Sequence, residues 1–129
     1  MAKTLVDAVL DVMIDYIANN CDEIFVDSAQ ATTYAEAQTT FKLAPKLAIV
    51  TGIGGGVYTK GNGATGRMLT VAAITGLTNS ATGTATHLGL CKNAGSVLLG
   101  TNTLTTSTAL TINNKCDLAS WTLTIADPV

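Results

Sequence analysis

The hydrophobic positions of the first 20 residues repeat with a helical period. At about 100° per residue, Leu5, Val6, Val9, Leu10, Val12, Met13, Tyr16 and Ile17 share one broad face. Asp7, Asp11 and Asp15 fall on the opposite face at i,i+4 steps. The pattern predicts a helix over residues 4–19, with Thr4 as N-cap, Asp7 completing a weak capping box, and Asn19 and Asn20 as the stop. A helix this one-sided is expected to lie on a surface, not to run through a core. From residue 23 the period changes. Glu23–Ser28 sets Ile24 and Val26 against Glu23, Phe25 and Asp27, which predicts a short strand. Thr32 and Thr33 precede Tyr34-Ala35-Glu36-Ala37, a single helical turn with a threonine cap.

Beyond that turn the chain reads as strands. The expected runs are Thr39–Leu43, Leu47–Thr51, Met68–Ile74, Thr84–Cys91, Val97–Thr101, Ala109–Ile112 and Trp121–Ile125. Asn62-Gly63, Asn93-Ala94-Gly95 and Asn113-Asn114 supply turns between them. Short strands at near-regular spacing predict a mainly β fold. The expected form is an antiparallel β-sandwich or barrel-like domain, with the one amphipathic N-terminal helix packed against it. Residues 1–129 are expected to form a single domain, helical over 4–19 and mostly β over 23–129. The last strand alternates most cleanly, with Trp121, Leu123 and Ile125 on one side and Thr122 and Thr124 on the other. Met68–Ile74 is apolar on both faces, with Leu69 and Val71 opposite Met68. That predicts a strand covered twice, by the helix or by another subunit. Gly52–Gly66 holds seven of the 12 glycines and reads as a long loop.

Composition narrows the class. Charged residues are 12% of the chain, against 47% hydrophobic, and 22 threonines carry much of the remaining polarity. Disorder needs the reverse balance. No apolar run approaches the roughly 18 residues of a membrane-spanning helix. The aspartates at 7, 11 and 15 argue against a signal peptide. Charge is segregated: residues 1–36 hold seven acids and one base, while residues 37–116 hold six bases and no acid. An acidic head and a basic body can pair within a subunit or between neighbours. Asp7, Asp11 and Asp15 are therefore candidate interface residues, together with Met68, Leu69 and Val71.

The tests for chemistry return little. Gly61, Gly63 and Gly66 match G-x-G-x-x-G, but a strand follows in place of a helix, and no acid stands about 20 residues on. His87 is the only histidine, and Cys91 lies four residues along the same strand, roughly 13 Å away. That is too far for a nucleophile–base pair or a shared metal. No enzyme activity, cofactor or metal is expected. The bases are too thinly spread for nucleic-acid binding, with only Phe41 and Tyr58 near any of them. Three cysteines, Cys21, Cys91 and Cys116, leave at least one thiol without an internal partner. Cys21 and Cys116 sit beside polar residues and are the better candidates for an intermolecular disulfide. Cys91, on an inner strand, is expected to stay reduced.

Several segments carry a family resemblance. They are Leu5-Val6-Asp7-Ala8 with Asp15-Tyr16-Ile17, Thr32-Thr33-Tyr34-Ala35-Glu36-Ala37, Ala85-Thr86-His87, Ser96-Val97-Leu98-Leu99, and Thr122-Leu123-Thr124-Ile125-Ala126-Asp127-Pro128. In this order the chain resembles small structural proteins encoded among the virion genes of tailed bacteriophages. The resemblance implies a virion component of the capsid decoration or minor capsid type, located in the particle after assembly in the host cytoplasm. A collar, neck or tail-fibre component is the alternative, as is a receptor- or carbohydrate-binding module. The implied partners are other virion proteins, such as the major capsid protein or neck and collar proteins, and further copies of the chain in a homo-oligomer. Neither nucleic acid nor membrane is among them. The family brings no catalytic residues to transfer, and the three cysteines are not part of its pattern.

Overall fold

The structure, a computed structural model, describes residues 5–127. Its elements are α1 (Asp7–Asn20), β1 (Glu23–Asp27), a π-helical turn (Glu36–Thr40), β2 (Lys42–Lys46), β3 (Tyr58–Asn62), β4 (Arg67–Val71), β5 (Ile74–Thr78), β6 (Gly83–Lys92), β7 (Val97–Leu110), β8 (Lys115–Leu118) and β9 (Trp121–Ile125). All strand pairs are antiparallel. The mainly β fold with one N-terminal helix is the one the patterning predicts, and no sheet among the described residues closes into a barrel. Within the span expected as one domain, the chain gathers into two compact units. One comprises residues 1–20, 50–73 and 119–129, and the other residues 21–49 and 74–118.

In the first unit β4 lies between β3 and β9, and α1 packs on this sheet. Cross-strand rows place Tyr58, Val71 and Trp121 on one face with Lys60, Leu69 and Leu123. Tyr58, Leu69 and Val71 are fully buried there, as are Leu10, Ile14 and Ala18 of α1. Burying these six side chains takes each largely out of water, at about 1.5–3 kcal/mol for a large apolar group. The expected glycine-rich loop is in part this sheet. Its final glycines build the turn between β3 and β4, where the Gly63 N–H donates to the Gly66 carbonyl at 3.1 Å. Gly66 has φ +77°, and a Cβ there would lie 2.1 Å from the Ile125 carbonyl oxygen of β9. The residue is glycine because the turn is left-handed and β9 passes beside it.

In the second unit the strand order is β2-β1-β6-β7, and β5 pairs separately with β8. β1 is buried along its whole length. On one face Ile24 and Val26 pair with Leu90 and Leu88. On the other, Phe25 lies opposite Gly89 and packs edge-on to Tyr34, with ring centroids 6.4 Å apart. The expected helical turn covers this second face. The Glu36 N–H donates to Thr33 Oγ1 at 3.2 Å, and the Glu36 carboxylate accepts the Thr32 N–H and hydroxyl at 2.6 and 2.7 Å. These bonds hold the Glu36 carboxyl below the usual carboxylate range. Gly89 lets the turn approach closely, since a Cβ there would meet Ala37 at 2.9 Å and Asp27 Oδ2 at 3.0 Å.

Several boundaries differ from the expectation. Thr39–Leu43 is not a strand: the π-helical turn occupies its start, and β2 begins at Lys42. Leu47–Thr51 is loop, with Leu47 and Val50 exposed. Val97–Thr101 and Ala109–Ile112 belong largely to one strand, β7, whose threonine-rich middle is extended without being apolar. Met68–Ile74 is two strands. It breaks at Ala72-Ala73, and Ile74 starts β5 in the other unit. Thr4, expected to cap the helix, lies outside the described residues, as does Pro128.

Candidate interaction surface

The helix is the element whose surface departs most from its sequence reading. Its buried residues are Leu10, Ile14 and Ala18, spaced i, i+4 and i+8. Leu5, Val6, Val9, Val12, Met13 and Tyr16, the bulk of the face expected to be covered, are exposed. On a helical wheel the buried stripe is turned roughly 120° from the predicted one, toward the aspartates. The cause is electrostatic. Lys60 and Arg67 stand on the helix-facing side of the sheet and draw the acids in. Arg67 Nε donates to Asp11 Oδ1 at 2.6 Å and Nη2 to Asp11 Oδ2 at 3.4 Å. Lys60 Nζ donates to Asp15 Oδ1 at 3.0 Å and lies 3.6 Å from Asp11 Oδ2. Asp7 stands 4.0 Å from Arg67 Nη1, which also donates to Asn62 Oδ1. The Arg67 guanidinium, aided by Lys60, holds the Asp11 carboxyl below its ordinary range.

The acidic and basic halves of the sequence thus meet inside one chain. Of the six expected interface residues, Asp11 and Asp15 are engaged by cations of their own sheet, and Asp7 lies at the edge of that network. Leu69 and Val71 belong to the unit's core, while Met68, on the opposite face of β4, is half-buried. The premise of a strand apolar on both faces fails with the break at Ala72-Ala73. An Asp11→Lys substitution would place a cation against Lys60 and Arg67 and so disturb the packing of α1 on the sheet.

Of the cysteines, Cys21 departs from expectation, while Cys91 and Cys116 lie where the sequence places them. Cys21 is fully buried where the chain leaves α1 for β1, and its thiol donates to the Glu23 carbonyl at 3.4 Å. A polar neighbourhood in sequence did not make it accessible. Cys91 is buried opposite Glu23 in the sheet, and burial pushes its thiol up to about 12. Cys116, on β8, is the partly exposed one, with its thiol raised by burial and by Asp117. His87 is half-buried, and its Nδ1 lies 2.8 Å from Thr86 Oγ1. Tyr58, the aromatic expected in the long loop, is fully buried at the start of β3.

Sequence reasoning missed the most unusual polar group. Asp27 is fully buried on the face of β1 covered by the Thr32–Thr40 segment, and neither carboxylate oxygen has a hydrogen-bond partner among the described residues. Burial pushes its carboxyl up to about 8. The nearby Glu23 is satisfied, accepting the Tyr34 hydroxyl at 2.9 Å. The signal was present in Phe25, which shares a face with Glu23 and Asp27 and marks that face as covered.

Among the described residues no group of three or more His, Cys, Asp or Glu is placed to hold a metal ion, and no helix is long and apolar enough to cross a membrane. No family model, curated protein or solved structure matches the chain.

Proposed function

We propose that the chain is a structural component of a tailed-phage virion, of the capsid decoration or minor capsid type, which binds and reinforces the shell. The observation that carries this reading is the asymmetry of the four-stranded sheet. One edge strand, β2, is closed to further pairing by Lys42, Pro45 and Lys46. At the other edge, Val97–Thr103 of β7 holds neither a charge nor a proline, and register shifts at Leu99 and at residues 104–107 leave Gly100–Thr103 as its regularly paired part. Edge strands of free-standing proteins are blunted by such residues, and an edge without them is a template for another chain. Segments resembling the phage proteins, Ala85-Thr86-His87 and Ser96-Val97-Leu98-Leu99, lie on β6 and at the start of β7. A carbohydrate-binding module is disfavoured because Tyr58 is not displayed.

Co-sedimentation with shells lacking the protein tests the proposal. Wild-type chain is expected to pellet with the shells. Thr103→Lys, at an exposed position on the open edge, is expected to stay in the supernatant while remaining folded. Wild-type chain that never pellets refutes the shell-binding role, and a lysine variant that pellets normally refutes the edge as its route.

A further inference from the structure

The outward face of α1 has no partner among the described residues. Val9, Val12, Met13 and Tyr16 stand at i, i+3, i+4 and i+7, the spacing of a single helical face. Leu5 and Val6 extend it before the first turn, and the six side chains are 40–66% exposed. Val12, Met13 and Tyr16 also line a shallow depression with Ile17. This stripe is turned roughly 150° from Leu10, Ile14 and Ala18, so the sheet that buries one leaves the other uncovered. The 4-3-4 steps from Leu5 through Val9 and Val12 to Tyr16 are those of a coiled-coil seam.

We propose that this face is a self-association seam, packed in solution against the same face of a second copy of the chain. Three observations select that occupant. First, the stripe carries no charge, because the aspartates lie on the flank engaged by Lys60 and Arg67. Two copies therefore meet without like-charge repulsion, and a charged protein partner finds nothing complementary. Second, six large apolar residues side by side, each 40–66% exposed, make a contiguous patch of the kind that marks an interaction site. Tyr16, near the C-terminal end of the seam, is of the residue type that anchors interfaces. Third, a helix lying in a lipid headgroup layer carries lysine and arginine on its polar face. Here that face carries three aspartates. This seam is separate from the open edge of β7, and neither proposal depends on the other.

Sedimentation velocity of wild type, Val12→Asp and Thr103→Lys over about 1–100 μM tests the seam. Wild type and Thr103→Lys are expected to form dimers. Val12→Asp, exposed and so folded by far-UV circular dichroism, is expected to dissociate about 100-fold more readily, since a carboxylate would be buried without a partner. A dimer unchanged by Val12→Asp overturns the proposal, as does wild type that is monomeric at the highest concentration. Monomeric wild type that instead pellets with phosphatidylcholine–phosphatidylglycerol vesicles also overturns it, by assigning the face to lipid.

Discussion

Replacing Asp27 by asparagine should stabilise the protein at alkaline pH and leave it nearly unchanged under acid conditions. The carboxyl is fully buried with no hydrogen-bond partner among the described residues, and its titration is pushed from 3.8 to about 8 by burial. Below pH 4 the group is protonated in both folded and unfolded chains, so it imposes no pH dependence. As pH rises, the unfolded chain releases the proton while the folded chain retains it, and stability falls until pH passes about 8. At about 1.36 kcal/mol per unit, the three units from pH 5 to pH 8 set a ceiling of about 4 kcal/mol. Solvent penetration and relaxation lower such penalties, and about 2 kcal/mol is the expected loss. Asparagine has nearly the same shape, keeps the close contact with Gly89 and does not titrate. The assay is urea unfolding followed by far-UV circular dichroism at pH 5, 6, 7 and 8. Wild type should lose stability across the series relative to Asp27→Asn, with the two converging only as pH falls to about 4 and below, where the carboxyl is protonated in both states. Parallel pH profiles, or an asparagine variant less stable at pH 8, would refute the reasoning.

Three further outcomes follow from the same geometry. Gly66→Ala should destabilise by about 3 kcal/mol or more, because the left-handed turn and the Ile125 carbonyl both exclude a Cβ, as equilibrium urea unfolding will report. Arg67→Ala should raise the Asp11 titration toward the ordinary carboxylate range, which carboxyl-detected NMR reads directly. The Asp11 contribution to stability is present at neutral pH and lost as pH falls through its lowered value, so the variant should also show a weaker acid dependence than wild type. If virions carry this protein covalently linked, the bond should run through Cys116, and Cys116→Ser should abolish any reductant-sensitive band from alkylated particles, while a band that survives would point to Cys21 or Cys91.

Much of the fold was legible because its strongest signals are local. The helical period of residues 5–20, the alternation of Trp121–Ile125 and the threonine cap before Glu36 need no tertiary information. The orientation of α1 was not legible in the same way. Its residues are apolar around most of the circumference, so hydrophobicity alone permits several buried stripes. The choice among them was made by Lys60 and Arg67, some 50 residues away. The hairpin hidden in Gly52–Gly66 was obscured by its glycines, which read as loop although Gly63 and Gly66 serve a tight turn beside β9. The long β7 was split because its middle is threonine with little apolar content, and the strand is held by pairing with β6 on either side of a bulge at residues 104–107. Cys21 was misplaced for a related reason: adjacent asparagines describe the sequence neighbourhood, whereas burial depends on where β1 begins. Of the candidate interaction surface, the residues themselves were in view, but which side of the helix they would face was not.

The central claim, that this chain is a stoichiometric building block of a virion, is tested most directly by quantitative mass spectrometry of purified phage particles. The chain is expected in every preparation at a fixed copy number relative to the major capsid protein. Its absence from washed particles, or a trace amount that varies between preparations, would contradict it.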